Sequence, residues 1–308
     1  MQKKRIRKIS LLLSLAAILI LAPVLLFDSY KVNSFQMAST LLPGDRVLIK
    51  KGSEISRQSV VVYRNPNYFD LPLKKREKNV SRLVGHPGDT VILFNKVLFI
   101  NRDTVYDPSG ARFEYRVVTG EGPLPEDFCR EHELQEPEII DAVGIYDYAM
   151  THAVAELADT LTMVETMRPT RQFIGDSSRE YYPPSYFFMW NRDQFGPLIV
   201  PRKGVTVEIS VNTVDLYRDI IERHEGNHVE IDYRGVFIND VQVKEYRFNK
   251  NYYFVLDDNR DRPGDSRIFG FVPEDHLVGR VNLIWGSWQF KNNKIRNIRP
   301  DRFFTRVE

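Results

Sequence analysis

The 308 residues hold 43 basic and 41 acidic side chains, 43% hydrophobic residues and one cysteine. That balance excludes a disordered chain and gives no electrostatic reason for a nucleic-acid partner. The lone thiol, Cys129, excludes an intramolecular disulfide and leaves a thiolate or zinc site without its usual companions.

Charge is unevenly spread. Lys3, Lys4, Arg5, Arg7 and Lys8 open the chain, and residues 9–308 carry 38 basic against 41 acidic groups. Residues 9–27 form an uncharged run of 19, about 28 Å long as a helix, which matches a hydrocarbon core. No small-x-small site follows it at 25–30, so the expectation is a retained transmembrane helix rather than a cleaved leader. The basic tail, 1–8, then lies in the cytoplasm and the main body on the outer, periplasmic side of the inner membrane, in single-pass topology.

Beyond that run the pattern turns to period two. Residues 46–50 alternate apolar and charged positions, as a half-buried strand does. Residues 60–63 and 80–84 are further short strands. His86-Pro87-Gly88-Asp89 is a turn, and 90–105 reads as a hairpin bending at Asn95-Lys96. Residues 229–243 echo 91–105 at constant offset, which we read as recurring hairpin chemistry. Helices are expected at 125–135, at 151–160 with Thr151 as cap, and at 213–224 between an Asn212 cap and Gly226. Residues 161–165 and 205–211 read as extended. The predicted fold is mainly β: a β-rich core of 28–105 and 251–308 with an inserted α+β region, 106–250.

Four ordered motifs point to one family. Ser34-Phe35-Gln36-Met37-Ala38-Ser39-Thr40-Leu41-Leu42-Pro43-Gly44-Asp45 resembles the type I signal peptidase pattern Ser-x-Ser-Met-x-Pro-Thr-Leu-x-x-Gly-Asp. Ser81-Arg82-Leu83-Val84-Gly85-His86-Pro87-Gly88-Asp89 resembles that family's Lys-Arg-Val-Val-Gly-x-Pro-Gly-Asp. Residues 257–267 resemble Gly-Asp-Asn-Arg-Asp-x-Ser-x-Asp-Ser-Arg, and 269–280 follow the family closely, while 57–63 are a weaker match. The resemblance implies a serine/lysine-dyad endopeptidase that removes signal peptides from secreted precursors, with no cofactor and no metal.

At the positions of the chemistry the chain departs from that pattern. Gln36 stands at the nucleophile, and an amide cannot form an acyl-enzyme. Ser81 stands at the general base. Phe35 replaces a Gly, Asp257 replaces a Gly, and Pro263 replaces an orienting Ser. Ser34 remains at the oxyanion position, Met37 and Leu83 are expected to line a peptide groove, and Asp265 with Arg267 are expected to brace the scaffold. Lys78 lies about 10 Å from Ser81 along a strand and on its opposite face. His86 falls in a turn, and Ser39 is out of register.

The resulting expectation is a catalytically degenerate, membrane-anchored pseudoenzyme that binds peptides, signal-peptide-bearing precursors or an active signal peptidase paralogue. The alternative is an active signal peptidase I with a rearranged site. His224 and His228 read as a solvated helix end rather than a metal site. Phe187, Phe188, Trp190, Trp285 and Trp288 read as core or membrane-interface residues rather than base-stacking ones.

Overall fold

The structure is a computed structural model, and it describes residues 26–38, 40–141, 144–176, 180–291 and 294–307. The expected transmembrane helix falls outside these except for its last two residues, Leu26 and Phe27, and Phe27 opens strand β1 (Phe27–Lys31). Ser39 also lies outside them. Among the described residues no helix is long and apolar enough to cross a membrane.

β1 pairs antiparallel with β2 (Asp45–Lys50), whose alternating burial matches its alternating sequence. β3 (Val60–Arg64) pairs with β4 (Lys78–Gly85), setting Val61 opposite Ser81. β5 (Thr90–Phe94), β6 (Val97–Ile100) and β7 (Asp103–Val105) form a meander. Its bends fall at Asn95-Lys96 and Asn101-Arg102, all four with positive φ, the geometry tight hairpins require and Asn tolerates.

β8 (Phe113–Thr119), β9 (Glu138–Asp141), β10 (Ile145–Met150) and β11 (Val164–Pro169) form a separate antiparallel sheet in the order β11-β8-β10-β9. Helix α1 (Glu126–Glu131) and helix α2 (His152–Asp159) accompany it. The Thr151 hydroxyl accepts from Val154 N–H, so the expected cap is present.

β12 (Gln194–Ile199) pairs with β5, and β13 (Thr206–Glu208) pairs with residues 245–247. The expected helix at 213–224 is corrected to a 3₁₀ turn, Val214–Leu216, and a π-helical turn, Ile220–His224, with no side-chain cap on either. Val214, Leu216, Tyr217, Ile220 and Ile221 are all buried in one core.

β14 (Val229–Asp232), β15 (Gly235–Ile238) and β16 (Val241–Val243) repeat the earlier meander. Thr90 N–H donates to the Asn101 side chain at 2.8 Å, and His228 N–H donates to Asn239 at 2.9 Å. β17 (Glu245–Arg247) follows. Residues 106–250 therefore form no single sheet: 113–169 build their own, whereas much of 194–250 shares the largest apolar core with 84–100. The aromatic loop before β12 docks there through Trp190, whose ring centroid lies 4.7 Å from that of Phe195 in β12.

β18 (Tyr252–Leu256) pairs with β4 and with β19 (Val272–Pro273), and helix α3 (Ser266–Phe269) lies between them in sequence. β20 (Leu277–Lys291) runs between β2 and β3 and pairs also with β21 (Lys294–Ile298) and β22 (Thr305–Arg306). The main sheet has the order β1-β2-β20-β3-β4-β18-β19. It brings the loop after β1, strand β4 and the loop after β18 together.

Candidate functional site

The loop carrying Gln36 is pinned at its base. Val32 N–H donates to the Asp45 carbonyl at 2.8 Å, and Gly44 N–H donates to the Val32 carbonyl at 2.9 Å. Gly44 has φ +97°, and a Cβ there would sit 2.4 Å from the Trp288 carbonyl oxygen, so only glycine fits. Asp45 is fully buried and accepts from Ser287 Oγ, Leu42 N–H and Arg302. These contacts fix the loop independently of any chemistry.

Within the loop, Ser34 Oγ donates to Gln36 Oε1 at 2.9 Å. The Gln36 carbonyl accepts from Asn259 N–H at 2.8 Å, stitching the loop to the turn after β18. A Cβ on Gly264 would lie 1.9 Å from Gln36 Nε2, so the amide occupies space that the Gly264 position leaves open. Phe35 is 38% exposed beside it.

Ser81, at the base position, is sealed. Its hydroxyl donates to Asp257 Oδ1 at 2.6 Å and lies 3.0 Å from the Tyr63 hydroxyl. Ser81 is 1% exposed, and Asp257 and Tyr63 are fully buried. The other Asp257 oxygen accepts from Gly264 N–H at 2.8 Å. Burial, and then the charge of Asp265, push the Asp257 carboxyl up to about 8, against the opposing effect of its two hydrogen bonds. The same carboxylate, after burial itself, raises the Tyr63 phenol well above its ordinary value. Tyr63 therefore keeps its proton, and the Asp257 carboxyl is held well above the usual carboxylate range.

The two dyad positions are thus joined by a relay of contacts. Gln36 packs on Gly264, Gly264 N–H binds Asp257, and Asp257 binds Ser81. No hydroxyl in this relay meets an amine or imidazole. Lys78, the lysine nearest Ser81 in sequence, donates to Asp28 at 2.7 Å. The His86 ring packs 6.1 Å from the Tyr253 ring. The carboxyl beside Ser81 is fully buried and already bound to Gly264 N–H, and the serine itself is buried away from any substrate carbonyl.

Asp265 and Arg267 pair in full burial, Nη2 to Oδ2 at 2.7 Å and Nε to Oδ1 at 3.1 Å. Asp265 also accepts from Asp257 N–H at 2.8 Å, so this ion pair sets the backbone from which Asp257 projects. On the alternate residues, Arg82 forms a bidentate pair with Asp258, 2.8 Å at each oxygen.

The groove role expected for Met37 and Leu83 is corrected. Both are fully buried, Met37 in the cluster with Val47 and Val281, and Leu83 in the cluster with Tyr63 and Val255. The Leu83 backbone is also satisfied, donating to Ser59 O and accepting from Gln58 N–H, which closes that edge to a further strand. Reading His224 as solvated is corrected too. Its ring packs against Phe69 and His276, and burial, then His276, lower it to about 3. Among the described residues no group of three or more His, Cys, Asp or Glu is arranged to hold a metal.

Sequence reasoning missed Tyr63 and Gly264 as members of this site. Tyr63 reaches Ser81 only because β3 and β4 pair with Val61 opposite Ser81. Gly264 was visible only as part of a motif.

The sequence model of the family described as signal peptidase, peptidase S26, matches residues 5–143 and 206–288, and the chain belongs to that family. It is 25% identical over 272 residues to signal peptidase I of Buchnera aphidicola subsp. Baizongia pistaciae, covering 84% of this chain and 69% of that protein. Signal peptidase I of Aquifex aeolicus is 22% identical over 281 residues, 89% of this chain and 79% of that one. The crystal structure of a signal peptidase I from Enterococcus faecalis V583 overlaps at a TM-score of 0.26 and 15% identity, over 74% of this chain and 97% of that chain.

Proposed function

We propose that this chain is a membrane-anchored member of its family that holds a peptide at the altered site without cutting it. The observation carrying the reading is the occupancy of both dyad positions. Gln36 supplies an amide held by Ser34, and Ser81 supplies a hydroxyl locked between Tyr63 and a carboxyl. Peptide hydrolysis through a dyad needs an attacking oxygen and a neutral base facing it. With Ser34 fixing Oε1, the Gln36 amide hydrogens have no acceptor among the described residues and suit a peptide carbonyl. Exposed Phe35 supplies an apolar neighbour.

The relatives are named signal peptidase I, so the occupant we favour is the end of a signal peptide on a secreted precursor. The apolar run at 9–27 would place the site at the outer surface of the cytoplasmic membrane. The test uses the purified full chain and a preprotein bearing an Ala-x-Ala site. The reading expects measurable binding, no cleavage, and weakened binding in Gln36→Leu. Cleavage that survives Gln36→Ala and disappears in Ser34→Ala would replace it with an active peptidase using Ser34.

A further inference from the structure

The sheet formed by β8–β11 bears a charge pattern that the peptide site does not use. Its register sets Arg168 opposite Arg116, and Arg116 opposite Asp147. Together with Glu114, Arg171 and Arg192 these line an open cleft of about 770 Å³. Like charges directly opposite on neighbouring strands cost stability unless something compensates them.

Compensation within the cleft is already spent. Asp147 takes Arg116 in a bidentate pair at 2.9 and 2.8 Å. Glu114 takes Arg192 at 2.9 Å and Arg262 at 3.3 Å. Arg168 and Arg171 are exposed and make no ion pair among the described residues. Arg192 Nε is buried without a hydrogen-bond acceptor, the carboxylates of Asp193 and Asp261 standing 3.8 and 3.9 Å away. Four guanidinium groups against two carboxylates leave two positive charges on the lining.

We infer that this cleft binds a phosphate group, with Arg168 and Arg171 as its principal ligands. Guanidinium forks fit phosphate oxygens in paired hydrogen bonds, and a dianion matches the residual charge. Phe173, in the wall, is 70% exposed, and the neighbouring Ile174 is 77% exposed. Apolar side chains at the rim of a cationic cleft favour a phosphate carried by an anionic lipid over a free one.

The test is calorimetric titration of the full chain in a neutral detergent with three probes: dihexanoyl phosphatidic acid, dihexanoyl phosphatidylcholine and inorganic phosphate. We expect the phosphatidic acid to bind at least tenfold more tightly than the choline lipid. Arg168→Ala with Arg171→Ala should lose at least tenfold for every phosphate probe that binds, at a thermal midpoint no lower than the parent's. Phe173→Ser should weaken the lipid but not inorganic phosphate if the lipid is the source. Equal binding of phosphatidic acid and inorganic phosphate, indifferent to Phe173→Ser, would keep the phosphate site and assign it to soluble phosphate. The inference is overturned if neither probe binds, or if the double arginine variant binds as the parent does.

Discussion

Replacing Asp257 by Asn tests the buried carboxyl at the centre of this site. Asn keeps the shape and both contacts: its oxygen can accept from Gly264 N–H, and its amide can donate to Ser81. What it removes is a proton linkage. Asp257 titrates near 8 in the fold and near 4 in an unfolded chain. Between those values the folded state holds a proton that the unfolded state has released. This group's stabilising effect is therefore complete below about pH 4 and lost as pH rises through about 8, at about 1.4 kcal/mol per pH unit. From pH 5 to pH 8 the parent should lose roughly 3–4 kcal/mol relative to Asp257→Asn. Urea unfolding followed by tryptophan fluorescence at several pH values measures that gap, with all other titrations common to both proteins. A gap that stays constant from pH 5 to pH 8 would mean that Asp257 is ionised in the fold and that burial does not raise its carboxyl as described here.

Three further perturbations address the same frame. Gln36→Ser with Ser81→Lys should give almost no preprotein cleavage, because the carboxyl of Asp257 would hold the new amine protonated. Adding Asp257→Gly should raise the rate at least tenfold, and brisk turnover by the double variant alone would defeat the argument. Asp265→Ala should cost about 3–5 kcal/mol in urea unfolding, since it strands a buried guanidinium; a loss under 1 kcal/mol would show that the pair braces little. Gly264→Ala should displace the Gln36 amide, the end of a flexible side chain, and so weaken peptide binding severalfold. Its melting temperature should move only slightly, and unaltered affinity in that variant would separate Gln36 from the binding site.

Parts of this architecture were legible because local chemistry determines them. Asn95 announces a bend that demands positive φ, and Thr151 announces a helix start. The four motifs gave the order in which the central loops meet. Long-range pairing was not legible. Nothing in the sequence near Ser81 points to Tyr63, since their contact depends on the β3–β4 register. Asp257 was readable as an added charge, but not as a fully buried acid bound to Ser81. Met37 and Leu83 look like groove residues by position, yet apolar packing draws both inside. The stretch 213–224 carries a helix signal, yet it folds as two shorter turns.

The most direct measurement of the central claim is mass spectrometry of an Ala-x-Ala signal peptide after a day with equimolar full-length protein. The account predicts an intact peptide that co-purifies with the chain and is released by denaturant. A product cut after the Ala-x-Ala segment, absent from a Ser34→Ala control, would contradict it.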